Sequence, residues 1–165
     1  CVLSRRMMLD VNLLRGGEVI LSDTALNDAV IHGYGDCITI SARSGDCHIT
    51  KFEGDGIIVS TPTGSTGYSL SAGGPILEPD VENIVITPVC PHVYGARSFV
   101  LNADRCIEVH AERLHGRHAF LSVDGTRNVD ILPGDVLHVK KSGKYTTMAF
   151  LDPNSFFDNT YDKLT

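Results

Sequence analysis

The stretch Asp55-Gly-Ile-Ile-Val-Ser-Thr-Pro-Thr-Gly-Ser-Thr-Gly-Tyr-Ser-Leu-Ser-Ala-Gly-Gly74, closed by Pro75, decides how the rest of the sequence is read. Ile57 to Val59 is a β-branched apolar run of strand character, and it empties into a segment of Ser, Thr and Gly. Glycine lets backbone approach a ligand closely, while hydroxyls and free N–H groups supply neutral donors and acceptors. Beyond Pro62, Thr63 to Gly67 reads as a loop and Tyr68 to Ala72 as a short helix stopped by Gly73-Gly74-Pro75. Such a strand, loop and helix aim backbone N–H groups at a helix start, where an anion or a polar base edge is held.

Two familiar loops are excluded by inspection. A Walker-type phosphate loop ends in Gly-Lys-Ser/Thr, and no lysine lies between Lys51 and Lys140. A nucleophile elbow needs Gly-x-Ser-x-Gly, and Gly64-Ser65-Thr66-Gly67 has the wrong spacing. A flexible linker would be featureless, whereas Pro62, Tyr68, Leu70 and Pro75 interrupt the run at defined places. The stretch therefore reads as a recognition loop.

Working outward, period-two alternation from Arg6 to Leu13, broken by Gly16-Gly17 before Glu18 to Leu21, signals a hairpin. Ser22 to Gly33 admits a capped helix or, as we favour for Val30 and Ile31, a turn followed by a strand. Within it Asn27-Asp28 reads either as a local side-chain turn or as a functional polar pair. Cys37 to Ala42 and Cys47 to Phe52 form a second meander about Ser44-Gly45-Asp46. Ile76 to Glu82 is a connection, and Asn83 to Thr87 a buried strand ending in the stiff Pro88-Val-Cys-Pro91. Downstream, strands recur at Ser98–Leu101, Cys106–Ala111, Ala119–Val123, Val129–Leu132, Val136–Lys140 and Tyr145–Phe150. Asp124-Gly125 and Pro133-Gly134-Asp135 are the clearest turns among them, and Lys140-Lys141 with Lys144 is expected in a solvated turn. The expected fold is mainly β, with packed, sandwich-like multi-stranded sheets. One short helix follows the glycine loop, and a short C-terminal helix over Ser155 to Leu164 docks its aromatics on a sheet.

The totals narrow the function classes. The 165 residues suit one domain, or one cut from a longer protein, and the absence of an initiating Met favours the second. A net charge of -6 argues against a broad grip on nucleic acid. No apolar run is long enough to cross a bilayer, and no signal-peptide layout is present. Cys1, Cys37, Cys47, Cys90 and Cys106 are odd in number and lack a Cys-x-x-Cys pair, which suggests neither a disulfide framework nor a zinc site and fits a reducing cytoplasm. His110, Glu112, His115 and His118 cluster in sequence, but a strand and a turn share no dependable face, so they read as exposed hairpin histidines.

With these pieces assembled, the sequence from about Met7 onward resembles the C-terminal part of NAD kinases. The resemblance rests on Ala25-Leu-Asn-Asp-Ala-Val-Ile31, on the stretch from Gly54 to Pro75, on Ile86-Thr-Pro-Val-Cys-Pro-His92 and, more weakly, on Phe156-Phe-Asp158. It implies transfer of the γ-phosphate of ATP, or of polyphosphate, to the 2′-hydroxyl of the adenosine ribose of NAD, giving NADP, with a divalent metal such as Mg2+ on the triphosphate. It also implies two lobes: an N-terminal α/β lobe carrying Gly-Gly-Asp-Gly-Thr, and a β-rich C-terminal lobe holding much of the NAD site. Gly-Gly-Asp-Gly-Thr is absent here, so the expectation is a dinucleotide-binding domain, residues 1–165, that is inactive alone.

The resemblance assigns site residues. Asn27 and Asp28 match an Asn-Glu or Asn-Asp pair that bonds ribose and phosphate or adenine groups. Thr63, Thr66 and Gly67 fall around adenine, with Gly67 in place of a frequent alanine. Tyr68 and Ser71 face the ribose and the nicotinamide side. The Asp55 equivalent reaches the neighbouring subunit's site, which implies a homodimer or homotetramer. Glu53 stands where some relatives carry a basic residue. No catalytic residue and no metal ligand is assigned in this chain, and neither nucleic acid nor membrane is an expected partner. Two rivals are a lipid kinase of the same superfamily, which would need an apolar cleft, and a non-catalytic β-sandwich binding module.

Overall fold

Met7, Leu9, Val11 and Leu13 are buried in succession along one face of strand β1, Val2–Arg15, as their alternation predicts. A computed structural model of the chain describes residues 2–35, 37–114, 118–151, 156–157, 160 and 162. After β1 come β2 (Glu18–Ala25), β3 (Asp28–Gly33), β4 (Ile38–Ser44), β5 (Cys47–Gly54) and β6 (Gly56–Ser60). A 3-10 turn at Gly64–Thr66 and a single helical turn, α1 (Tyr68–Ser71), follow. The chain continues with β7 (Asn83–Val89), β8 (Phe99–Asn102), β9 (Ile107–Arg113), β10 (Ala119–Val123), β11 (Arg127–Ile131) and β12 (Val136–Phe150).

The strands form two six-stranded sheets, in the orders β2-β1-β12-β9-β4-β5 and β11-β10-β3-β6-β7-β8. One apolar core joins them. Leu9, Ile40, Val109 and Leu137 of the first sheet share it with Ile31, Val59, Ile86 and Leu121 of the second. The second sheet has a further small cluster on its other face, where Val30, Ile58 and Val89 meet Ala72. The glycine-rich stretch lies over that face, so all five residues of β6 are buried. This is why Ile57-Ile58-Val59 reads as a continuous apolar run rather than an alternation.

The mainly β expectation holds, with two differences of detail. Ser22 to Ala25 complete β2, so only Leu26 and Asn27 bend before β3, and the helical alternative is not adopted. Lys140, Lys141 and Lys144 do not form a turn: β12 runs unbroken through them, paired with β1 from Leu14↔Val136 to Val2↔Phe150. Ser142-Gly143 is absorbed as a bulge where the register shifts between Met7 and Leu9, and long-range pairing overrides the local turn signal. Lys141 instead pairs with Glu82 at 2.5 Å. Of the closing helix, Phe156, Phe157, Thr160 and Asp162 are helical, with the Thr160 hydroxyl donating to the Phe156 carbonyl at 2.7 Å. Both phenylalanines line a groove with Val2, Arg6 and Phe150; the rest of that segment lies outside the described residues, as does His115.

Candidate functional site

The recognition loop spends many of its hydroxyls on itself. Thr61, Ser65 and Ser69 are fully buried. The Thr61 hydroxyl donates to the Leu26 carbonyl at 2.6 Å and accepts from the Gly64 N–H at 3.0 Å, while the Thr61 N–H donates to the Asn27 carbonyl at 2.9 Å. Ser65 donates to the Pro62 carbonyl at 2.6 Å and accepts from the Leu77 N–H at 3.0 Å, and Ser69 bonds Thr87 at 2.8 Å. A Cβ on Gly64 would stand 2.1 Å from the Asn27 carbonyl oxygen. Glycine is required there by close backbone packing, not by a ligand. The Ser/Thr/Gly composition thus builds a rigid frame seated on the Leu26–Asn27 bend.

The other side of that bend is held by Asp124, read in the sequence only as half of a turn. Asp124 stands at φ 48 in the β10–β11 connection. Its carboxylate accepts the N–H groups of Leu26 at 2.7 Å, Asn27 at 2.7 Å and Asp28 at 3.1 Å, and its own N–H donates to the Asp28 carbonyl at 3.0 Å. Three backbone donors fixed by one carboxylate leave the Asn27 and Asp28 side chains little freedom of direction. An Asp-Gly pair signals a turn in any sequence. Nothing local says which distant backbone it will grip.

Between this bend and α1 opens a cleft of about 500 Å³. Asn27, Asp28, Gly67 and Tyr68 line it, four of the residues foreseen in the sequence. His32, Phe120 and Ser122, which were not foreseen, line it as well. Register explains their presence: His32 pairs with Phe120 and Val30 with Ser122, so these side chains share the face carrying Asp28. The His32 ring stacks on Tyr68 at 5.7 Å and on Phe120 at 5.9 Å between centroids, and bonds the Tyr68 hydroxyl. Together they form a flat aromatic ledge beside a polar corner. Thr63, Thr66 and Ser71 lie on the loop outside this cleft. Thr66 donates to the Thr63 carbonyl at 3.2 Å, Ser71 is exposed, and the Thr63 hydroxyl is buried without a hydrogen-bond partner among the described residues.

Burial, and then the charge of Asp124, push the Asp28 carboxyl up to about 6. The Tyr68 phenol is pushed up as well, first by burial and then by the negative charges of Cys90, Asp55 and Asp28. Among the described residues that line the cleft there is no lysine or arginine. Its chemistry suits a planar, hydroxylated, uncharged group rather than a phosphate chain. Of the anion or polar base edge expected at the start of α1, the base edge suits it better, since a single turn carries little macrodipole.

Asp55 is placed apart from this cleft, at one end of the sheets. There Cys37, Asp55 and His92 converge so that one potential ligand atom of each lies within 4.8 Å of the others. Cys90 adds its thiol through a hydrogen bond to Asp55, which with burial pushes that thiol up.

Residues 26–150 match the family model described as the ATP-NAD kinase C-terminal domain. The chain is 43% identical over 155 residues to the NAD kinase of Acetivibrio thermocellus, covering 93% of this chain and 54% of that protein. It is 39% identical over 165 residues to the NAD kinase of Caldanaerobacter subterraneus, covering 99% and 58%. The chain therefore spans about half the length of the curated relatives it matches. Among solved structures it is similar to yeast NADH kinase complexed with NADH, with a TM-score of 0.84 and 27% identity over 98% of this chain and 48% of that one. An NAD kinase from Archaeoglobus fulgidus in complex with ATP aligns with a TM-score of 0.75 and 28% identity over 98% and 60%.

Proposed function

This chain belongs to the ATP-NAD kinase family, and we propose that it is the acceptor-binding lobe of an enzyme that phosphorylates the 2′-hydroxyl of the adenosine ribose of NAD. One observation carries the reading: the Asn27-Asp28 bend, pinned by Asp124, faces Tyr68 and an aromatic ledge across a cleft with no lysine or arginine among the described residues that line it. Ribose hydroxyls donate to the ionised Asp28 carboxylate, the Asn27 amide offers both a donor and an acceptor, and the ledge receives a planar base.

Phosphoryl transfer is mainly positioning and charge neutralisation. This lobe contributes the first: it holds the acceptor hydroxyl and limits its motion. Neutralisation and activation fall, in our reading, to an α/β lobe bearing Gly-Gly-Asp-Gly-Thr, since the cleft supplies no cation for phosphates. Nor do the cleft carboxylates build a magnesium site. Both Asp124 oxygens already accept backbone N–H groups, which leaves Asp28 as one uncommitted carboxylate. A divalent ion accompanying ATP would be held by the triphosphate and by the other lobe. Asp55, outside the cleft of its own chain, is suited to reach a neighbouring copy in a homodimer or homotetramer. We place the enzyme in the cytoplasm; no helix among the described residues is long and apolar enough to cross a membrane.

Calorimetric titration of the chain with NAD tests the proposal. Binding is expected, weakened about tenfold or more by Asn27→Ala or Tyr68→Ala, a loss of roughly 1.4 kcal/mol. No NADP should form from NAD and ATP with the chain alone. Binding unaffected by both substitutions would overturn the site, and substantial NADP formation would overturn the division of labour.

A further inference from the structure

The corner at Cys37, Asp55, Cys90 and His92 is built from three separate chain segments, two of them stitched together by backbone bonds. Asp55 donates its N–H to the Val89 carbonyl at 3.0 Å and accepts at its carbonyl from the Gly33 N–H at 2.8 Å. The His92 N–H donates to the Glu53 carbonyl at 2.8 Å, so the residues on either side of Cys90 are stitched to those on either side of Asp55. A Cβ on Gly54 would stand 2.8 Å from the Val89 carbonyl and 3.1 Å from that of Cys90, so this packing tolerates only glycine. Cys90 itself sits at φ 45, left-handed and unfavourable for a side-chain-bearing residue, and directly precedes Pro91. Without that conformation its thiol would continue the β7 alternation instead of turning to Asp55.

The donor atoms of Cys37, Asp55 and His92 stand at ligand separations, and the Cys90 thiol lies beside them against Asp55. Cys37 Sγ is 3.1 Å from His92 Nε2 and 3.9 Å from Asp55 Oδ1, and Cys90 bonds Asp55 through its side chain. Around a tetrahedral zinc ion, neighbouring donor atoms are roughly 3.3–3.8 Å apart. We propose that Cys37, Asp55 and His92 form a structural Zn2+ site, which the neighbouring Cys90 thiol closes as fourth ligand on metal binding, locking the β5–β6 and β7 ends together. Two sulfurs, one imidazole and one carboxylate are a borderline-soft set that suits Zn2+ and is wrong for Mg2+. Binding deprotonates the two thiols and releases their protons to solvent. Four protein ligands leave no open position for a metal-bound water, so the ion's role is architectural. The sequence hides the site because its ligands stand singly, with no Cys-x-x-Cys pair.

The site does not depend on dinucleotide binding. Only its consequence does: by holding one Asp55 oxygen, the ion would orient the residue that the proposed function sends toward a neighbouring subunit.

The test strips the full chain with chelator and titrates it with Zn2+ and Co2+. One zinc per chain is expected, with a thiolate-to-cobalt charge-transfer band and tetrahedral cobalt absorption. Zinc should protect Cys37 and Cys90, identified by peptide mass, from a thiol reagent, while the exposed Cys47 stays reactive. Cys90→Ser and His92→Ala should weaken zinc by more than about 100-fold, and Cys47→Ser should leave it unchanged. No stoichiometric metal in the unmodified chain, or retention of tight binding in Cys90→Ser, would overturn the site. Should the substitutions prevent folding, the protection pattern of the unmodified chain decides: equal reactivity of Cys37, Cys47 and Cys90 with zinc present refutes the proposal. Because each reading is of metal, its failure is distinct from a failure to bind NAD.

Discussion

The two sheets are alike in strand number and antiparallel pairing, yet they treat their outer faces differently. In the first, β1 and β9 alternate buried and part-exposed positions, so along them one face belongs to the core and the other to water, whereas β4 is covered on both from Ile38 to Ala42. In the second, β6 and nearly all of β7 are buried on both faces, because the stretch from Thr61 to Pro75 folds back over them. The cleft opens where this cover ends. A cleft has been made here by covering most of a sheet face and leaving an edge of the cover ajar, with Tyr68 on the cover and His32 and Phe120 on the sheet.

If the cover is the specialised part, substitutions beneath it should cost far more than equivalent ones on the first sheet. The largest contrast is Gly64→Ala against Gly143→Ala. The first drives a methyl group into the Asn27 carbonyl, while the second meets nothing within 4 Å. In urea unfolding, Gly64→Ala is expected to cost about 3 kcal/mol or more and Gly143→Ala no more than about 0.5 kcal/mol. Equal costs would show that the loop is not a rigid frame.

Next in size is Asp124→Ala, which strands three backbone donors and should cost about 2 kcal/mol, with the Asn27-Asp28 bend loosened and NAD binding lost in parallel. Asp124→Asn, keeping one carbonyl acceptor, should recover part of both. A stability loss with NAD affinity unchanged would separate the bend from the site.

Asp28 gives a smaller, pH-dependent effect. Its carboxyl is raised from 3.8 to about 6, so between those values the folded chain holds the proton more tightly than the unfolded chain. That advantage is complete below about pH 4 and disappears as pH rises through about 6. Asp28→Asn should therefore match the parent near pH 4 and exceed it at pH 8, by an amount on the order of 1 kcal/mol. Parallel stability curves for the two proteins would refute the burial argument. Smallest of all is Lys141→Met on the first sheet. Its partner Glu82 is held below the usual carboxylate range by hydrogen bonds from Lys141 and Tyr145, but the pair is solvated, so about 0.5 kcal/mol is expected in salt-dependent unfolding.

The legible parts of the site were those whose signal is short. Asn27-Asp28, Gly67 and Tyr68 were found because a polar pair in an apolar segment and a residue closing a glycine loop are visible within a few positions, and the resemblance then supplied their roles. The same shortness misled at Lys140-Lys141 and Lys144, where local turn chemistry was outweighed by a partner strand, β1, more than a hundred residues upstream. It also misjudged the loop hydroxyls. Thr61, Ser65 and Ser69 look the same as Thr63 in sequence, and only their hydrogen bonds separate the hydroxyls that build the frame from one left without a partner among the described residues.

The sequence by itself determined a mainly β chain, most of its turns, the glycine-rich loop and the bend opposite it. Each of these follows from dihedral preferences and alternation acting over two to six residues. The tertiary structure alone decided that Asp124 grips the bend, that His32 and Phe120 complete the cleft, and that Cys37, Asp55, Cys90 and His92 meet at one corner. Those juxtapositions depend on strand order and register, which sum weak contacts across the whole chain and leave no mark in any single segment.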